Sequence, residues 1–157
     1  MLHLILTAAS LAAQAAPASS PYYIKPVCAK NDGSGFGYRI DAFTGRVGFH
    51  AGLDFAVEPG SPVVASAAGQ VVWAQTRGPY GLAVEIDHKD NHKTRYAHLS
   101  EHAVAPGQRV AQGATIGWSG ATGRTSMPGL HFEVWSNDIV RDPRKHLHPN
   151  PRCARRK

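Results

Sequence analysis

From Gly48 to Trp135 the chain is a series of short apolar runs, broken by Gly and Pro at intervals of about ten residues. Such punctuation leaves no room for a long amphipathic helix, which needs roughly 10–12 periodic residues to bury a stripe. Seven runs read as strands: Val63-Val64-Ala65, Gln70–Trp73, Leu82–Ile86, Thr94–Leu99, Arg109-Val110, Thr115–Trp118 and Leu130–Trp135. Asp90-Asn91 supplies a hairpin turn before Thr94, and Pro106-Gly107 another before Arg109. The expected fold is mainly β, a single antiparallel sheet system that is open or barrel-like. The 157 residues hold one compact domain rather than two. With 43% apolar and 18% charged residues the chain can bury a core, so intrinsic disorder is excluded.

The two ends differ from this body. Residues 1–15 are an apolar stretch from Met1 through Leu11 and Ala12, shorter than the roughly 20 residues that span a bilayer, followed by Ala13-Gln14-Ala15. That small-x-small ending reads as a secretory signal peptide, giving an exported mature form (periplasm, exterior or cell wall) without a transmembrane segment; a buried first helix is the alternative. Residues 16–47 form a loop-rich lead-in, residues 48–145 the folded domain and residues 146–157 a basic tail.

The formal charge of +6 lies entirely between Arg141 and Lys157, where seven basic residues face only Asp142. This cluster is either a solvated tail or an electrostatic contact with an anionic cell-envelope polymer. Nucleic acid is not an expected partner, because the run lacks interleaved aromatics and any reading motif. The only cysteines, Cys28 and Cys153, could close one disulfide in an oxidising compartment; two free thiols are the other reading.

Most of the nine histidines sit where an imidazole needs no role. His88, His92 and His102 occupy polar turn contexts and are expected to be exposed. His146-Leu147-His148 has ligand-like spacing, but its Pro-flanked basic surroundings make it a decoy. His131 lies between Leu130 and Phe132 on a strong strand and shares a face with Glu133. His98 is placed on one face with Tyr96 by the same alternation. His50 and Asp54 are four residues apart, about 13 Å in a straight strand. For both to reach one ion the backbone must turn, and Gly52 permits it. His50, Asp54 and His131 would then give three ligands and leave a fourth position for water, the arrangement of a catalytic rather than a structural zinc.

Five stretches taken in order carry a resemblance: His50–Asp54; Gly60–Ala65 leading to Gly69–Val72; Tyr96-Ala97-His98-Leu99-Ser100; Gly107–Val110 to Gly113; and Ser119–Arg124 leading to Leu130–Val134. Over about residues 46–145 the chain resembles the LytM/lysostaphin-type zinc metallopeptidases. The resemblance implies an antiparallel β fold with a groove, one zinc per chain and hydrolysis of stem or cross-bridge peptides in peptidoglycan. It makes His50, Asp54 and His131 the zinc ligands and His98 a catalytic imidazole beside the attacked water. Glu133 would orient a ligand from behind or be a surface carboxylate; Tyr96 would line the groove or pack as a strand aromatic.

One position departs from the family pattern. Its members usually carry His-x-His before the Phe-Glu-Val strand, and here the first of these is Gly129. A missing proton-transfer or transition-state donor typically costs about 10²–10⁴ in rate, while the metal ligands remain. The sequence therefore supports two functions: a zinc metalloendopeptidase, weakened at Gly129, or a degenerate module that binds wall peptide or regulates another hydrolase.

Overall fold

The computed structural model describes residues 22–155 of the chain, so the expected signal peptide lies outside the described residues. Thirteen strands follow in order: β1 (Tyr23–Ile24), β2 (Gly37–Ile40), β3 (Val47–His50), β4 (Leu53–Phe55), β5 (Pro62–Val64), β6 (Gly69–Thr76), β7 (Leu82–Asp87), β8 (His92–His102), β9 (Arg109–Val110), β10 (Thr115–Ser119), β11 (Leu130–Ser136), β12 (Ile139–Arg141) and β13 (Leu147–His148). Short 3₁₀ turns lie at Gly78–Tyr80, Pro143–Lys145 and Cys153–Arg155. Among the described residues no helix is long and apolar enough to cross a membrane.

Strands β4 to β12 form one open sheet, antiparallel throughout, with the path β12-β11-β8-β7-β6-β9. On its edge away from β8, β11 carries β4 along its first half and β12 along its second. Leu130, Phe132 and Val134 of β11 enter the core with Leu53, Phe55, Val84, Ile86, Tyr96 and Leu99. Alternation then sends His131, Glu133 and Trp135 to the opposite face, where the site is built.

Strand β8 is longer than the run Thr94–Leu99 because its pairing slips twice. The register shifts opposite Leu82/Val84 of β7 and again opposite Trp118/Ser119 of β10. Each bulge bends the strand, so one continuous segment serves β11 and β7 first and β10 afterwards.

The lead-in is not simply loop. β2 and β3 pair as a hairpin in the register Gly37↔His50 to Ile40↔Val47. Its outward side chains Tyr38, Ile40, Val47 and Phe49 stay exposed, and the Gly-rich surroundings hide its alternation from a reading based on burial. The basic tail is also partly docked. β13 pairs in parallel with β1, buried Asn150 donates to the Lys25 carbonyl, Arg152 donates to that of Gly113, and Cys28 is bonded to Cys153. His88 corrects a third expectation: it is buried rather than exposed, bridging the Ala68 carbonyl and the Thr94 hydroxyl at 2.8 and 2.7 Å.

The disulfide spans a sequence separation of 125 residues. Replacing both cysteines by alanine should cost about 4–5 kcal/mol through the entropy of the unfolded chain. Thermal unfolding would show this as a fall in Tm on the order of 10 °C; a melting curve that superposes on that of the unaltered protein would mean the two ends are held by β1–β13 alone.

Candidate metal centre

The pairing of β4 with β11 sets Asp54 directly opposite His131. Asp54 Oδ1 lies 2.8 Å from His131 Nδ1. His50 reaches the same point from the end of β3, its Nε2 3.1 Å from both Asp54 Oδ1 and His131 Nδ1. The chain turns between His50 and Leu53 as expected, yet the need for glycine at position 52 is spatial. A Cβ there would stand 2.4 Å from the Phe132 carbonyl oxygen and 2.7 Å from His131 Cε1.

The three donor atoms fit a divalent ion. Tetrahedral zinc with bonds of about 2.0–2.1 Å separates its ligand atoms by roughly 3.3 Å, close to the 2.8 to 3.1 Å found here. The outer nitrogens are engaged as a ligand set requires: His50 Nδ1 donates to the Gly35 carbonyl at 2.8 Å, and His131 Nε2 to Glu133 Oε1 at 3.0 Å. With those outer N–H groups placed, a neutral imidazole at each position would present its lone pair inward. Among the described residues these three form the one His/Cys/Asp/Glu group able to hold an ion. His146 and His148 do not join it; the His148 ring instead packs edge-on against Tyr22.

Electrostatics agree with an ionised carboxylate in this place. Burial raises the Asp54 pKa, but the His131 and His50 imidazoles facing it more than offset this and hold the group well below the usual carboxylate range. Arg39 adds a longer contact of 3.4 Å to Asp54 Oδ2 and a hydrogen bond to the Ser34 hydroxyl.

His98 reaches this face by a route the alternation did not foresee. It sits in the first β8 bulge with φ of +62°, so it parts from its neighbour two residues back. Tyr96 does not line the groove: it is fully buried, with its hydroxyl accepting from Ser66 N and Thr94 Oγ1. The His98 ring is 5.9 Å from that of His131. Its Nδ1 donates to the Thr122 carbonyl at 2.7 Å, which leaves Nε2 as an acceptor. Burial pushes its pKa below the ordinary histidine value, with the His131 charge acting in the same direction.

Glu133 is fully buried, not a surface carboxylate. Besides His131 it receives the Tyr80 hydroxyl, the Trp135 indole and Arg95 Nη1. Sequence reading missed Tyr80 and Arg95; the available signal was a charged residue inside the otherwise strand-like run Thr94–Leu99.

Gly129 borders the same cleft. A Cβ at this position would lie 2.5 Å from the Phe55 carbonyl oxygen, so β4 backbone fills the space in which a side chain would begin. Gly129→Ala is therefore expected to destabilise the fold by about 1–3 kcal/mol through overpacking, measured by denaturant titration; equal stability would mean β4 yields freely. The walls of the cleft are the β2–β3 hairpin, with Arg39, Asp41 and Phe43, and the segment holding Arg124 and Met127. Arg124 joins the walls by pairing with Asp41 at 2.9 Å and lying over the Phe43 ring.

Comparison with known proteins bears on this cleft. The model of Peptidase family M23 matches residues 48–143. The DD-carboxypeptidase/endopeptidase Mpg of Neisseria meningitidis serogroup B is 38% identical over 130 residues, covering 83% of this chain and 30% of that protein. A zinc-containing peptidase from Vibrio cholerae superposes with a TM-score of 0.73 at 37% identity, over 79% of this chain and 39% of that one. The catalytic domain of lysostaphin from Staphylococcus simulans gives 0.67 at 35% identity, over 73% and 90%. The chain thus spans less than a third of the length of its curated relative Mpg.

Proposed function

The chain belongs to peptidase family M23, and from that premise we propose that it is an exported zinc-dependent endopeptidase that hydrolyses peptide bonds of peptidoglycan. His50, Asp54 and His131 would hold one zinc per chain. The observation that carries the reading is the convergence of three donor atoms within 2.8 to 3.1 Å, with the outer nitrogen of each imidazole set against an oxygen acceptor. Bound zinc supplies Lewis acidity toward the scissile carbonyl and the attacking water.

The side chains do the rest. His98, neutral and with Nε2 free, accepts the proton of the attacking water and returns it to the departing amine. Thr122 fixes the His98 ring through its carbonyl. The hairpin and the Arg124 segment form the walls between which an extended peptide would lie across the floor of the cleft.

Gly129 favours a second reading, a module that binds wall peptide without cutting it, since Phe55 backbone and not a second imidazole occupies that side of the cleft. One experiment separates the two. Purified protein, loaded with zinc to stoichiometry, is incubated with cross-linked muropeptides and with glycine-rich peptides, and new amino termini are counted. Release of them supports the hydrolase; retention of intact peptide with measurable affinity supports the binding module. The basic residues of the C-terminal segment are proposed to add an electrostatic contact with anionic envelope polymers, tested by the salt dependence of sedimentation with cell walls.

A further inference from the structure

A row of alternating charge crosses the sheet behind the site. The registers set Glu85 of β7, Arg95 of β8 and Glu133 of β11 side by side. Arg95 Nε meets Glu85 Oε1 at 2.8 Å and Arg95 Nη1 meets Glu133 Oε2 at 2.8 Å. Arg77 closes the outer end, 2.9 Å from Glu85. His131 stands at the inner end, its Nε2 3.0 Å from Glu133 Oε1. The Arg95 guanidinium lies over the rings of Tyr80 and Trp135, 4.5 and 5.2 Å from their centroids. Both of those side chains also donate to Glu133, at 2.8 and 2.7 Å. With His131 and Arg95 they make four donors, which fills the capacity of a carboxylate.

We infer that Arg95 is a positioning residue for the metal site, acting through Glu133 on His131, with Tyr80 its counterpart from the groove wall. This rests on the reading of His131 as a zinc ligand. A carboxylate held at one oxygen only can rotate about its terminal bond and carry its acceptor away from an imidazole. Here Arg95 and Trp135 hold Oε2 while Tyr80 holds Oε1, so the acceptor facing Nε2 is fixed. Fixing the Nε2–H direction fixes the Nδ1 lone pair on the opposite side of the ring, where Asp54 and His50 converge. Arg95 also supplies the cation without which a fully buried carboxylate has no charge partner. Lysine does not replace it, because a point charge lacks the planar fork that reaches Glu85 and Glu133 at once. Tyr80 extends this support into the cleft: it lines the groove, and its turn is tied to the opposite loop by Leu82 N to Thr122 Oγ1 and Arg124 N to the Pro79 carbonyl.

The test uses the whole chain with Arg95→Met, Arg95→Lys and Tyr80→Phe. Zinc affinity is measured by competition with a chromogenic chelator, and ligand geometry by the visible absorption of the cobalt(II)-loaded protein. Arg95→Met is expected to weaken zinc binding by about 10–100-fold and to change the cobalt bands, with Arg95→Lys recovering only part of the loss. Tyr80→Phe removes one hydroxyl from a half-buried ring and should shift both readouts in the same direction by a smaller factor, which keeps the test decisive where an Arg95 variant does not fold. Unchanged zinc affinity and an unchanged cobalt spectrum in Tyr80→Phe and in every folded Arg95 variant overturn the inference alone. Failure of the unaltered protein to take up zinc overturns it together with the proposed ligand set.

Discussion

Protein carrying His131→Ala is expected to retain no stoichiometric zinc after dialysis and to leave cross-linked muropeptides uncut. His131 supplies one of the three side-chain donors that converge among the described residues. Loss of a partner that merely orients a ligand costs about 10–100-fold in metal affinity, so loss of a donor atom itself should exceed that. Without the ion, the attacking water would lose the acidity that bound zinc supplies, and His98 alone does not make up for that loss. Asp54→Asn is the companion variant, because it keeps the shape while removing the charge that both imidazoles face at 2.8 and 3.1 Å. Elemental analysis and chromatography of digests check both variants. Hydrolysis that persists in demonstrably metal-free His131→Ala protein would remove these residues from the mechanism. Re-addition of zinc to chelator-stripped unaltered protein should restore the rate, which separates loss of the ion from loss of the fold.

The strands and their faces were legible where burial imposes a period. Leu130–Val134 alternates cleanly because even positions enter the core and odd positions meet the site, and that alone put His131 and Glu133 together. Turn chemistry was legible too: Lys89, Asp90 and Asn91 all take positive φ at the β7–β8 hairpin, as the Asp90-Asn91 pair suggested. Of the two readings of the cysteine pair, bonded or free, the structure has the bond.

What stayed hidden depends on departures from that period. His98 and Tyr96 share a parity in sequence, and a single bulge sends one to the site and the other to the core. No spacing rule locates a bulge in advance. The β2–β3 hairpin was concealed for a different reason: it leaves Tyr38, Ile40 and Val47 exposed, so its alternation serves no core and looks like loop among glycines. His88 was misjudged because a turn context says nothing of the strand that folds over it; its partner Thr94 stands six residues on, across the hairpin. The ligand set itself became legible only when ordered motifs were considered together, since each histidine alone is consistent with a satisfied buried side chain.

His98→Ala is expected to lower kcat by about 10²–10⁴ while zinc content and KM stay close to those of the unaltered protein. The reasoning follows from Gly129. With Phe55 backbone in the position where a second imidazole would begin, His98 is the histidine left to move the proton. It is held for that task by the Thr122 carbonyl on Nδ1 and by burial that keeps the ring neutral near pH 7. His98→Gln keeps a polar side chain of similar reach but has no basic nitrogen, so it should fall nearly as far, whereas a purely orienting role would be partly rescued by it. Single-turnover measurements with zinc-loaded protein check the split between binding and chemistry. A chain whose turnover is indifferent to both substitutions would need another base, and Tyr80 on the cleft wall and Glu133 behind His131 are engaged with each other at 2.8 Å.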